Sequence, residues 1–109
     1  MADTSTITAP SLSREGLISR LRALRPLFER EGVAQMTLFG SRARGDNRPD
    51  SDVDLIIEVD PERKFSLIDL SGVGLVVEDN VGLPVSVVMR RSARPAMLAA
   101  AKRDGIAVF

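Results

Sequence analysis

Apolar residues recur every three or four positions between Leu17 and Phe28, as Leu17, Ile18, Leu21, Leu24, Leu27 and Phe28, which predicts an amphipathic helix offering one face to a core. Ser13 can cap it, Glu15 falls in its first turn, Pro26 is expected to kink it and Gly32 to end it. Its other face carries Arg14, Arg20, Arg22, Arg25 and Arg30, which reads as a solvated face rather than a nucleic-acid stripe. Met36-Thr37-Leu38-Phe39 then reads as a short strand, and the β-branched and aliphatic run Val53, Leu55, Ile56, Ile57 and Val59 as a second, closed by Glu58, Asp60 and Pro61. Phe65 to Asp79 predicts another helix, with Leu67, Ile68, Leu70, Leu75 and Val76 offered to the core and Gly72 and Gly74 weakening it. Pro84 opens a third strand, Val85 to Met89. A last helix starts near Ser92 or Ala93, with Pro95 in its first turn, the strong formers Ala96 to Ala101, Lys102 and Arg103 at its C-terminus and Gly105 as its stop. Ile106 to Phe109 can add a short terminal strand, and the whole fits an α/β layer.

Chemistry concentrates between the first two strands, in Leu38 to Glu58, which reads LFGSRARGDNRPDSDVDLIIE. Strand side chains alternate, so Asp52 and Asp54 converge on one face while Val53 points away. Two adjacent carboxylates repel, and a hard cation such as Mg²⁺ relieves this with oxygen ligands, usually one or two carboxylates plus substrate phosphates. Upstream, Gly40-Ser41 ends a strand. A helix starting there would turn free N–H groups and the Ser41 hydroxyl toward an anion, Gly40 would admit a phosphate to the backbone, and Arg42 and Arg44 would add positive charge. Taken singly, a Gly-Ser is a turn, an Asp-x-Asp a wet strand end and an Arg-rich loop a surface. Their order along the chain makes spatial sense as a phosphate cradle beside a metal-binding pair.

The rest of the composition narrows the chemistry. Across 109 residues, long enough for one core, 15 basic and 15 acidic residues cancel, and there is no Trp or Tyr. A template-binding role is therefore not expected, since it would call for a basic face and stacking platforms. Without His or Cys, any catalysis must run through carboxylates and oxygen-liganded ions. No apolar stretch reaches the ~20 residues of a membrane span. Residues 1–12 read as a polar tail without the pattern of a signal peptide, 13–109 as the domain, and the expected location is cytoplasmic.

The segment Gly40-Ser41-Arg42-Ala43-Arg44-Gly45, followed by Ser51-Asp52-Val53-Asp54-Leu55, resembles the signature of the DNA polymerase beta-like nucleotidyltransferase superfamily. The short length points to its minimal nucleotidyltransferase (MNT) branch, in antitoxin-like, MntA-type form. The resemblance implies an α+β two-layer fold, with a small mixed sheet of about four strands and helices packed on one side. It implies Asp52 and Asp54 as catalytic and metal ligands, Gly40, Ser41, Arg42 and Arg44 at the nucleotide, and a two-ion Mg²⁺ site. The implied reaction moves a nucleoside monophosphate, AMP from ATP in the first instance, to a hydroxyl of a partner protein, as in antitoxins paired with HEPN-domain toxins. Homo- or hetero-oligomers are compatible with this.

One position departs from the pattern. The family supplies a third carboxylate from a later strand, and here Gly82-Leu83-Pro84-Val85-Ser86-Val87-Val88 puts Ser86 in its place. The ion that activates the acceptor hydroxyl is the one this should weaken, sparing nucleotide binding more than chemistry. Glu78 and Asp79 lie upstream as possible substitutes, and Arg90, Arg91 and Arg94 could approach the triphosphate or stay on the surface. Two alternatives to the transferase stay open: a pseudoenzyme that neutralises its partner by binding alone, and a small-molecule nucleotidyltransferase.

Overall fold

The computed structural model describes residues 12–109. Of the tail expected over residues 1–12, only Leu12 therefore falls inside the description, and it packs partly buried against the core. The elements run α1 (Arg14–Ala23), α2 (Arg25–Arg30), β1 (Val33–Phe39), α3 (Ser41–Arg44), β2 (Val53–Val59), α4 (Leu67–Val81), β3 (Val85–Met89), α5 (Pro95–Asp104) and β4 (Ile106–Ala107). A single 3-10 turn, Arg90–Ser92, links β3 to α5.

Four strands form one mixed sheet in the order β3-β2-β1-β4. β1 is antiparallel to both β2 and β4, whereas β2 and β3 are parallel, with α4 as their crossover. The alternation along β2 builds two faces. Val53, Leu55 and Ile57 join Met36, Leu38 and Met89 in the larger core, against Leu17 and Leu21 of α1, Phe28 of α2 and Val73, Val77 and Val81 of α4. Ile56 and Phe39 face the other way, toward Ala101 and Leu98 of α5, so this helix lies across the second face as a smaller layer. The main helical layer is thus on one side, as expected, and α5 is the exception. Leu17 and Leu21 are fully buried, each contributing about 1.5–3 kcal/mol.

The single kinked helix expected over the first apolar stretch is two helices. Pro26 has no N–H for the carbonyl four residues back and its ring collides there, so α1 ends at Ala23 with Leu24 as its cap, and the proline instead occupies the first turn of α2. Ser13 caps α1 through Gly16 N–H at 2.9 Å. The strand expected from Met36 starts earlier, at Val33, with a bulge between Val33 and Gln35.

The second long helix runs two residues further than expected and begins two later. A capping box sets its start: Asp69 Oδ2 accepts from the Ser66 N–H at 2.8 Å, and Ser66 Oγ accepts from the Asp69 N–H at 3.3 Å. Its buried face is Val73, Val77 and Val81, supported by Leu70 and Val76, whereas Leu67, Ile68 and Leu75, expected in the core, are exposed. The start at Leu67 and a spacing of four from Val73 turn those three outward.

The end of the chain is stitched to the first helices. Arg22 donates from Nε to Val108 O at 2.8 Å and from Nη2 to Ala107 O at 3.1 Å. Phe109 stacks on Phe28 with ring centroids 6.2 Å apart, and the Arg25 guanidinium lies 5.1 Å from the Phe109 ring centre. No described helix is long and apolar enough to cross a membrane.

Candidate active site

β1 ends at Phe39, directly opposite Asp54 on β2, so the Gly40-Ser41 turn leaves the sheet beside the acidic pair. Gly40 adopts φ +78°, and α3 starts at Ser41 with no side chain capping it. A Cβ on Gly40 would fall onto the Asp54 Oδ2 atom and lie 3.2 Å from its Cγ. Glycine is therefore required twice, for its backbone conformation and for the room it leaves Asp54. The Gly-Ser turn and the acidic strand, separate along the chain, form one site.

Asp52 is exposed just ahead of β2, which opens at Val53, and Asp54 is partly buried within the strand. Burial raises the Asp54 carboxyl above the ordinary range, the charge of Asp52 raises it further, and Arg44 opposes both. The electrostatic cost that burial and Asp52 place on Asp54 is what a divalent cation removes, and Mg²⁺ commonly takes one or two protein carboxylates, completing its shell with phosphates and water. The donor set fits such an ion.

A third carboxylate is another matter. The parallel register places Ser86 opposite Asp54, exposed on the neighbouring strand, where it offers a hydroxyl and no charge. Among the described residues, no group of three or more His, Cys, Asp or Glu is arranged to hold a metal, so neither Glu78 nor Asp79 completes the pair. Both sit in the last turn of α4, which packs on the other face of the sheet.

The two arginines of α3 have different tasks. Arg44 is exposed and held by two carboxylates, Asp46 at 3.1 Å and Asp104 at 3.2 Å. Arg42, expected at the nucleotide, is instead buried, with 2% of its surface exposed. Its Nε donates to Ser51 O at 2.9 Å, and its Nη2 to Pro49 O at 3.0 Å and to Arg48 O at 3.4 Å. With its fork turned onto loop carbonyls, this side chain does not reach outward to a phosphate.

Arg90 and Arg91 lie beyond the far end of β3, away from Asp54. Arg90 Nε is 3.4 Å from Glu58 Oε2, and Arg91 Nη2 donates to Phe65 O at 3.4 Å. They flank an open groove of about 320 Å³ with Ile57, Val59, Pro61 and Met89. The parallel register sets them four and five residues past Ser86, which separates them from the acidic pair by most of the strand length. Asp104, sixty positions from Arg44, is the site neighbour that the sequence pattern does not signal.

Comparison with known proteins shows the family and the fold. The family described as a nucleotidyltransferase domain matches residues 20–108. Protein adenylyltransferase MntA of Thermococcus cleftensis is 35% identical over 82 residues, which cover 75% of this chain and 81% of the relative. A solved structure described as a candidate minimal nucleotidyltransferase is similar at a TM-score of 0.74 and 32% identity, over 90% of this chain and 98% of that one. A structure of a tri-AMPylated HEPN toxin in complex with an MNT antitoxin, from Shewanella oneidensis, is similar in fold alone, at a TM-score of 0.64 and 15% identity, over 85% of this chain and 71% of that one.

Proposed function

The chain belongs to the nucleotidyltransferase domain family, and from that premise we propose that it transfers a nucleoside monophosphate, AMP from ATP, to a hydroxyl of a partner protein of the HEPN toxin class, as that partner's antitoxin. The observation that carries this reading is the contact of the Gly40 turn with Asp54, which makes one site of a phosphate cradle and an acidic pair. The relative named as a protein adenylyltransferase and the complex holding an AMP-modified toxin support the donor and the acceptor.

Asp52 and Asp54 would hold Mg²⁺, which would supply charge neutralisation for the triphosphate. The chain's own part is positional. The Gly40-Ser41 turn receives the phosphates through backbone N–H groups and the Ser41 hydroxyl, and Arg44 adds a cation nearby. The acceptor oxygen forms a new bond to the α-phosphorus, the bridging bond to the β-phosphate breaks, and pyrophosphate leaves. With no His in the chain, the hydroxyl proton passes to a carboxylate or to solvent.

A second reading is favoured by one observation, the hydroxyl of Ser86 standing opposite Asp54 where the family pattern has an acid. In it, the domain neutralises its partner by association, with transfer slow or absent. Calorimetric titration of ATP with Mg²⁺ into the wild type and Asp52→Asn/Asp54→Asn tests the site. Saturable binding abolished by the double substitution supports a working nucleotide site, and absence of binding by folded wild type removes it. Radiolabel passing from ATP to a HEPN-class partner, and lost in Asp52→Asn, separates transfer from masking. Neutralisation that survives the double substitution without labelling selects the masking reading.

A further inference from the structure

Arg42 is a buried cation that, among the described residues, pairs with no carboxylate. Burying a guanidinium in that way is costly unless its donors are used. Here they are used on one object. All three acceptors, the carbonyls of Arg48, Pro49 and Ser51, belong to the loop that carries the chain from α3 to β2. The last of them is the carbonyl of the peptide unit that joins Ser51 to Asp52.

The loop holds itself only in part. The Arg48 N–H donates to Ser51 Oγ at 2.9 Å, the Ser51 N–H donates to Arg48 O at 3.1 Å, and the Asp46 N–H reaches back to Ser41 O at 3.2 Å. These bonds close a local turn and tie its beginning to α3, where Arg44 also holds the exposed Asp46 at 3.1 Å, and they leave the stretch next to Asp52 to Arg42. On the other side of Asp52, Val53 N–H donates to Pro84 O at 2.8 Å, which anchors the strand. Asp52 thus sits between a strand held by the sheet and a loop held by Arg42. Because Arg42 lies on the same short helix that follows the Gly40-Ser41 turn, its position also links the phosphate side of the site to the metal side.

We propose that Arg42 is a positioning residue that clamps the loop over residues 46–52 and thereby sets Asp52 beside Asp54. The idea rests on the reading of that pair as the metal site. The planar fork is essential to it: a lysine keeps the charge but is a point donor on a flexible stem and cannot span three carbonyls.

The test uses the full chain with Arg42→Lys and Arg42→Met, read in two ways. The first is hydrogen exchange, which needs no ligand. Both variants are expected to exchange faster across 46–54 while β1 and the α4 core keep their protection. Unchanged exchange in that segment overturns the clamp, whatever the site binds. The second is the Mg²⁺ concentration needed for half-maximal ATP binding, expected to rise about tenfold in Arg42→Lys. In an Asp52→Asn background the same substitution should change it less than about twofold. An equal effect in both backgrounds shows a merely structural role and overturns the positioning claim.

If wild type binds no nucleotide, the proposed function fails and the exchange experiment still decides the clamp. Should Arg42→Lys and Arg42→Met not fold, Arg42→Gln, which keeps a shorter polar donor but loses the three-carbonyl span, is read by the same exchange. Faster exchange at 46–54 is then the supporting result, and none the opposing one.

Discussion

Ser86 is the register partner of Asp54 across the parallel pair of β2 and β3, so a side chain at position 86 shares a sheet face with the carboxylate it adjoins. Ser86 is exposed on an edge strand, and an aspartate there costs little in packing. Ser86→Asp is expected to raise nucleotidyl transfer about tenfold or more by supplying the third carboxylate. Pyrophosphate release and partner labelling measure it. An unchanged rate, with fold and nucleotide binding intact, counts against the missing-ligand account.

Two glycines should respond in opposite directions to the same substitution. Gly40→Ala is expected to lose about 1–3 kcal/mol from the strained backbone, with more from the collision with Asp54, and to abolish nucleotide binding. Gly72 lies inside α4 with nothing within 4 Å of an added Cβ, so Gly72→Ala should gain about 0.5–1 kcal/mol and leave binding alone. Urea titrations of both proteins, followed by calorimetry, provide the comparison.

The raised Asp54 carboxyl makes stability depend on pH in a defined sense. In metal-free protein the folded state holds the proton at Asp54 to higher pH than the unfolded chain does. This group's contribution is therefore most favourable at and below the ordinary Asp range and declines as pH rises through the folded value. Asp54→Asn should melt a few degrees higher than wild type at neutral pH in chelator, and the gain should shrink toward acid pH. Thermal melts from about pH 3 to about pH 7.5, which spans the carboxylate range, decide it. A constant difference across that interval contradicts the assignment.

Arg44 is the cation near the acidic pair that Asp104 also claims. Asp104→Asn releases one of its two carboxylate partners and is expected to tighten ATP binding about two- to fivefold. Arg44→Ala should weaken binding and make the Asp104 substitution silent. Additive effects in the double variant would show that Asp104 acts by another route.

Much of this arrangement is legible in the amino-acid order, because local rules govern it. Asp52 and Asp54 flank a buried Val53, Gly40 ends a strand, and Pro95 opens a helix, each for a reason contained within a few residues. The failures occur where a distant contact decides. Nothing near Arg42 says that its fork turns onto carbonyls six to nine positions ahead, and an arginine in a Gly-Ser-Arg turn reads equally well as a phosphate ligand. Leu67, Ile68 and Leu75 look like core because periodicity cannot choose between adjacent faces of a helix apolar nearly all round. The Ser66–Asp69 capping box, once recognised, sets the helix start. Pro26 was readable as a disturbance, but whether it kinks or breaks the helix depends on Phe28 packing on the core through a new direction of chain.

The bulge between Val33 and Gln35 lies at the end of the β1–β2 pair farthest from Asp54, and the two strands run in step from Gln35–Glu58 to Phe39–Asp54. The ladder already absorbs a counting mismatch at the outer end. A residue inserted there can enlarge the bulge and leave the rest of the pairing alone. A residue inserted between Asp54 and Ile57 reverses the facing of everything on one side of it, and would take Asp54 out of its pairing with Phe39 and Ser86 or turn the core residues beyond it outward. Across homologous chains, length changes should accordingly collect around positions 32–35 and be missing from 54–57, giving the sheet one end tolerant of drift and one end that counts.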